Sequence, residues 1–168
     1  IVFKWKKAAN ASGYKIYRRT GNSSKWVNIA TVSGSNTLVY TDGSVKSGTM
    51  YTYTVRAYKG SALSAYNKNG SRIVRLTAPV QYKPSSKASG KLTVRWKKAV
   101  GASGYQIQYA ASRSMRGART VSTSALTRTL SGLKKGSTYY VRIRAYKKVS
   151  GKTYYGAWSS VKNVKVRK

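Results

Sequence analysis

Between Arg142 and Tyr155 the chain gathers Arg142, Arg144, Lys147, Lys148 and Lys152 with Tyr154 and Tyr155. Guanidinium forks match the paired oxygens of phosphate and sulfate, and aromatic rings beside them stack on sugars or bases. The chemistry offered by this set is attraction of anions. Catalysis of the common kinds lacks its parts. Lys and Arg total 34 against one acid, Asp42, and His and Cys are absent, for a formal net charge of +33. Paired carboxylates, activated His or Cys nucleophiles, and imidazole or thiolate metal sites are excluded. A single carboxylate does not build a calcium cage either. Serine and lysine are plentiful enough for a Ser-Lys dyad, but no particular pair stands out. The expectation is a noncatalytic chain with no cofactor and no metal, for which a polyanion is the first partner to consider. The plainer reading of the same charges is a solvated outer face, since attraction to polyanions is independent of sequence.

The element that positions these residues is the stretch from Leu133 to Tyr146, LKKGSTYYVRIRAY. Val141, Ile143 and Ala145 alternate with Tyr140, Arg142 and Arg144, the period of a strand with one dry and one wet face. Tyr139 stands where a sandwich places a tyrosine whose hydroxyl bonds back to the backbone at a corner between sheets. The pattern occurs earlier as Val45 to Tyr58, with Tyr51 in place of Tyr139 and the Arg-Ala-Tyr ending repeated. Upstream of each copy lie a strand with an inward tryptophan, Trp5 or Trp96, and an Ala-Ser-Gly-Tyr turn leading into a strand, with Tyr14 and Ile16 matched by Tyr105 and Ile107. Trp5, Trp96, Tyr51 and Tyr139 are therefore expected to be structural. Residues 26–32 and 118–121 are short strand candidates, and Asp42-Gly43 reads as a turn in which Asp42 bonds its own backbone. After Tyr146 the second copy makes a hairpin through residues 147–152 and returns by Tyr154, Tyr155 and Trp158.

The repeat divides the 168 residues into two domains, 1–77 and 78–168. Both prolines, Pro79 and Pro84, lie in the stretch 77–91, expected to supply a linker and the edge strand that opens domain two. Domain one has no counterpart before Ile1, so its N-terminal edge strand is expected to be missing. Either the segment is cut from a longer chain, the simpler reading, or the open edge accepts a strand from another molecule and supports self-association. No apolar run reaches the roughly 20 residues of a membrane-spanning helix. Residues 1–84 carry 14 Lys and Arg and residues 85–168 carry 20, so domain two is expected to bind anions harder.

Trp5 or Trp96, the Ser-Gly-Tyr turn and the Gly, Tyr and Arg-Ala-Tyr strand together resemble the fibronectin type III domain, twice over. The wording of the second copy, VRWKKAVGASGYQIQYA with LKKGSTYYVRIRAYKKVSGKTYYGAWSSVKNVKV, is similar to the lysine-rich version in exported and cell-wall-associated proteins of Firmicutes, especially Clostridia. The resemblance implies an all-β chain of two tandem immunoglobulin-like Greek-key sandwiches, the first without its N-terminal edge strand. It also implies an extracellular or cell-wall location and a role as spacer, stalk, filament building block or adhesion module. The alternatives are a module binding teichoic acid, glycosaminoglycan, nucleic acid or an acidic protein surface, and an accessory domain of a secreted enzyme. Arg116-Gly117-Ala118 lacks the Asp of the integrin-binding tripeptide, so integrin recognition is not carried over.

Overall fold

The computed structural model describes all 168 residues. It contains fourteen strands and no helix, hence none long and apolar enough to cross a membrane. The chain divides into two compact units, residues 1–75 and 76–168.

In unit 1, β1 (Val2–Lys4) pairs antiparallel with β4 (Val39–Thr41). The second sheet runs β3 (Val27–Ser33), β2 (Gly13–Thr20), β5 (Met50–Lys59), with β6 (Ala62–Leu63) and β7 (Ser71–Val74) on the two ends of β5. Alternation sends Phe3 from one sheet and Tyr14, Ile16, Tyr51 and Tyr53 from the other into a single core, with Ile1 and Trp5 packed against it. The aromatic content replaces aliphatic bulk: Phe3 stacks on Tyr53 at 5.4 Å between centroids, and Trp5 meets Tyr14 at 5.4 Å.

Unit 2 repeats the plan. β8 (Leu92–Arg95) pairs with β11 (Thr127–Leu130), and β10 (Arg119–Thr123), β9 (Gly104–Ala110), β12 (Thr138–Val149) and β13 (Lys152–Tyr155) form the larger sheet, with β14 (Lys162–Lys165) also on β12. Leu92, Val94 and Trp96 face Tyr105, Ile107, Val141, Ile143 and Ala145 across a dry interior. Two details differ from the sequence reading. The opening edge of this unit is two isolated bridges, Gln81 with Trp96 and Ser85 with Thr93, because Pro84 between them has no N–H to give a continuous ladder. The hairpin loop is also shorter than 147–152. β12 continues to Val149, and the turn is Ser150-Gly151 alone, both in the left-handed region (φ 46° and 76°) that a tight two-residue hairpin requires.

The equivalent outer edge of β1 in unit 1 pairs with no strand of this chain. The Ser-Gly-Tyr turn has a packing reason in both units. Gly13 faces Tyr58 and Gly104 faces Tyr146 across the sheet, and the tyrosine ring lies in the space a Cβ would take.

Candidate functional site

The register of the β12–β13 hairpin places Tyr146 opposite Tyr155, Lys147 opposite Tyr154 and Lys148 opposite Thr153. Since neighbours along a strand point to opposite faces, the seven anion-attracting residues expected from sequence do not form one site. Arg142, Arg144, Lys148 and Tyr155 lie on the outer face of the larger sheet. Lys147, Lys152 and Tyr154 lie on the other, where the Lys152 ammonium sits 5.5 Å from the Tyr154 ring centre. A run of charges close in sequence is thus split by the pleat.

On the outer face the two arginines are held in a ladder. Arg142 donates from Nε and Nη2 to Oε1 of Gln108, at 2.9 and 2.8 Å, and Arg144 does the same to Gln106, at 2.9 and 2.7 Å. Their guanidinium carbons lie 4.7 and 4.5 Å from the Trp158 ring centre, and Arg144 lies 4.0 Å from that of Tyr155. Burial of Arg144 and the neighbouring Arg142 charge lower its pKa, against the opposing pull of Tyr155. Each arginine has spent two of its five N–H groups and much of its π face inside the protein. The result is a stiff, half-committed cationic strip. Gln106, Gln108 and Trp158 were not assigned roles from sequence. Their signal was the alternation Gln-Ile-Gln facing Arg-Ile-Arg across adjacent strands, legible only once the pairing is known.

The expected structural residues are placed as follows. Trp96 is buried and Trp5 is partly buried against the core of unit 1. The Tyr51 hydroxyl accepts from the Lys46 amide at 2.9 Å, and the Tyr139 hydroxyl from the Lys134 amide at 3.2 Å, so each closes a corner. Tyr14 and Tyr105 make a second tie of the same kind, accepting from the amides of Ala8 (3.1 Å) and Ala99 (2.9 Å).

Asp42 does more than turn the chain. Its Oδ1 accepts from the Ser44 amide at 3.0 Å, the short-range bond expected of an Asp-Gly turn, and from the Ser44 hydroxyl at 2.7 Å. Its Oδ2 takes the Arg18 guanidinium at 2.6 Å and the Tyr53 hydroxyl at 2.8 Å. Only 2% of the residue is exposed. Burial alone pushes the carboxyl up, but the bonds from Ser44, Tyr53 and Arg18 more than offset it and bring the pKa down to about 2. Burial and the adjacent carboxylate raise Tyr53, and Arg18 is raised by Asp42 in spite of its own burial. The only carboxylate side chain of the protein is a structural pin. Sequence showed the turn, and the long-range partners Arg18 and Tyr53 had no local signal.

A second cation–aromatic series occupies unit 1. Arg19 lies 4.7 Å from the Trp26 ring centre, Trp26 meets Tyr66 edge-on at 6.1 Å, and Arg56 lies 5.3 Å from Tyr66.

The sequence matches the family model for the fibronectin type III domain over residues 77–162. No curated protein matches the chain. Among solved structures it is similar to the chicken CNTN1 FN1-FN3 domains, at 20% identity and a TM-score of 0.49, covering 99% of this chain and 61% of that one.

Proposed function

The chain belongs to the fibronectin type III family, and we propose that it is a noncatalytic structural and adhesion module, a spacer or stalk within a bacterial protein displayed outside the cell. Domains of this family are typically structural or adhesion modules of extracellular and cell-surface proteins. The observation that carries the reading is the state of Asp42. The only carboxylate side chain is buried and tied to Arg18, Tyr53 and Ser44 within the fold. The lysine-rich wording of the second copy supports an exported, cell-wall-associated parent of the Firmicutes type. A spacer of this kind bears load one unit at a time. Stretching the chain in a force spectrometer is expected to give two unfolding events, with contour gains of about 25 nm for unit 1 and about 30 nm for unit 2. One merged event, or none above the noise, overturns the spacer reading.

A second reading is favoured by the charge distribution. Unit 1 carries 13 Lys and Arg against Asp42, and unit 2 carries 21 with no acid at all. Such a surface draws an anionic polymer of the cell envelope to itself, and the same charge gives the stalk its means of adhesion. Retention of the chain on teichoic acid, heparin and DNA across about 50 to 200 mM salt tests it, since phosphate-driven binding weakens steeply over that range. No retention at the low-salt end overturns it.

A further inference from the structure

We propose that the outer face of the β8–β11 sheet in unit 2 is a binding groove for a ringless phosphodiester polymer of the poly(glycerol phosphate) type. This rests on the polyanion reading and names its site and ligand class. The face forms an open cavity of about 360 Å³ lined by Ser85, Lys87, Lys91, Thr93, Arg95 and Thr129, within the size range of ligand sites. Thr93 and Arg95 are alternate residues of β8 and Lys91 immediately precedes it; all three line that face, while Leu92 and Val94 between them are buried. The Cα atoms of Lys91 and Arg95 are thus roughly 13 Å apart, with the hydroxyl-bearing Thr93 midway.

The groove is shaped before any ligand arrives. Ser85 and Thr93 exchange backbone bonds of 3.0 and 2.7 Å. The loop carrying Lys87 is closed by the Ser86 hydroxyl, which lies 2.5 Å from the Lys91 carbonyl and also accepts from the Arg167 amide. Thr93 and Thr129 hydroxyls touch at 3.0 Å, so whichever donates to the other leaves one O–H free to turn outward.

The charges here are uncommitted. The side-chain nitrogens of Lys87, Lys91 and Arg95 bond to no protein acceptor, in contrast to Arg142 and Arg144, which are bound to Gln108 and Gln106. The lining also selects among polyanions. It holds no aromatic residue on which a base or a sugar ring stacks. Hydroxyls and cations suit a flexible chain of phosphates and small polyol links. Unit 1 keeps only part of this face: Lys4 and Thr41 stand at the positions of Arg95 and Thr129, but Val2, 57% exposed, stands at that of Thr93 and brings no hydroxyl.

Two charge-matched variants of the whole chain test the assignment. One carries Lys87→Ser, Lys91→Ser and Arg95→Ser, and the control carries Lys147→Ser, Lys148→Ser and Lys152→Ser. Binding to poly(glycerol phosphate), heparin and duplex DNA is measured from about 50 to 200 mM salt. The parent is expected to prefer poly(glycerol phosphate). The groove variant is expected to lose about tenfold or more, with the slope of log K against log salt reduced by about 2, and the control to lose less than about threefold. Equal losses in the two variants overturn the groove while leaving the polyanion reading intact. Failure of the parent to bind any of the three polymers overturns both. A preference for heparin or DNA that the groove variant abolishes overturns the ligand class. Amide shifts of the parent chain on adding poly(glycerol phosphate) give a reading that needs no variant. Shifts centred on Thr93 and Thr129 support the groove, and shifts centred on residues 147–152 overturn it.

Discussion

Asp42 of unit 1 and Leu130 of unit 2 occupy the same position in their sandwiches. The amide of Trp5 bonds to Leu38 and that of Trp96 to Leu126, and Asp42 and Leu130 follow four residues on in each case. Register extends the match: Arg18 faces Tyr53 across the β2–β5 pair as Tyr109 faces Val141 across β9–β12. The buried polar trio Arg18, Asp42 and Tyr53 thus has an apolar counterpart, Tyr109, Leu130 and Val141, in the same chain.

Asp42→Leu alone is expected to destabilise unit 1 by about 3 to 5 kcal/mol, because it strands the Arg18 charge and the Tyr53 hydroxyl. Adding Arg18→Tyr and Tyr53→Val, which completes the trio of unit 2, is expected to recover at least half of that loss. Denaturant melts of the three proteins measure it, and a triple variant less stable than the single one refutes the equivalence.

Acid should act on unit 1 first. The Asp42 pKa of about 2 lies below the ordinary value of about 3.9. The folded state therefore binds this proton less readily than the unfolded one. The resulting stability, about 2 kcal/mol, is fully present above pH ~4 and is lost as the pH falls toward ~2. Unit 2 holds no Asp, Glu or His. Amide resonances of Tyr14, Ile16 and Tyr53 are expected to weaken across that window while those of Ile107 and Ile143 persist. Concurrent loss of both sets contradicts the assignment.

The tyrosine over each inward glycine gives a third expectation. A Cβ at Gly13 collides with the backbone carbonyl of Val32 and approaches the Tyr58 ring to 2.7 Å, whereas at Gly104 the main obstruction is the Tyr146 side chain. A side chain swings away more easily than a strand. Gly13→Ala should cost about 2 to 3 kcal/mol and Gly104→Ala about 1 kcal/mol. Adding Tyr146→Leu should relieve part of the second cost and Tyr58→Leu little of the first. Thermal melts of each unit decide this.

The ladder on the outer face predicts an optical effect. Replacing Arg142 and Arg144 by Lys keeps the charge but removes the forked bonds to glutamine and the flat contact with Trp158. The double variant should lose about 1 to 2 kcal/mol of unit 2 stability and shift the emission of Trp158. An unchanged spectrum would show that the ring does not sense the guanidinium groups.

Most of the architecture was legible because its signals are local. Alternation announced Val141, Ile143 and Ala145 as inward, the repeated Tyr51 and Tyr139 announced the corners, and Asp42-Gly43 announced a turn. What escaped depends on pairing between strands distant in sequence. Arg18 and Tyr53 meet Asp42 from 24 and 11 residues away, and Gln106 meets Arg144 from 38. Composition drew attention to the lysines of the β12–β13 hairpin, where charges are dense in sequence. Lys87, Lys91 and Arg95 are spaced four residues apart in sequence, and what gathers them into one groove is the loop that folds back beside β8.

The absence of acids from unit 2 has one more consequence. Its positive groups resemble the fixed sites of an ion-exchange resin, with no Asp, Glu or His side chain among them whose titration would alter the loading capacity. An anionic layer holding such a unit would release it to an eluting salt or a competing polymer, and would keep its grip through acidification for as long as its own phosphates stay ionised.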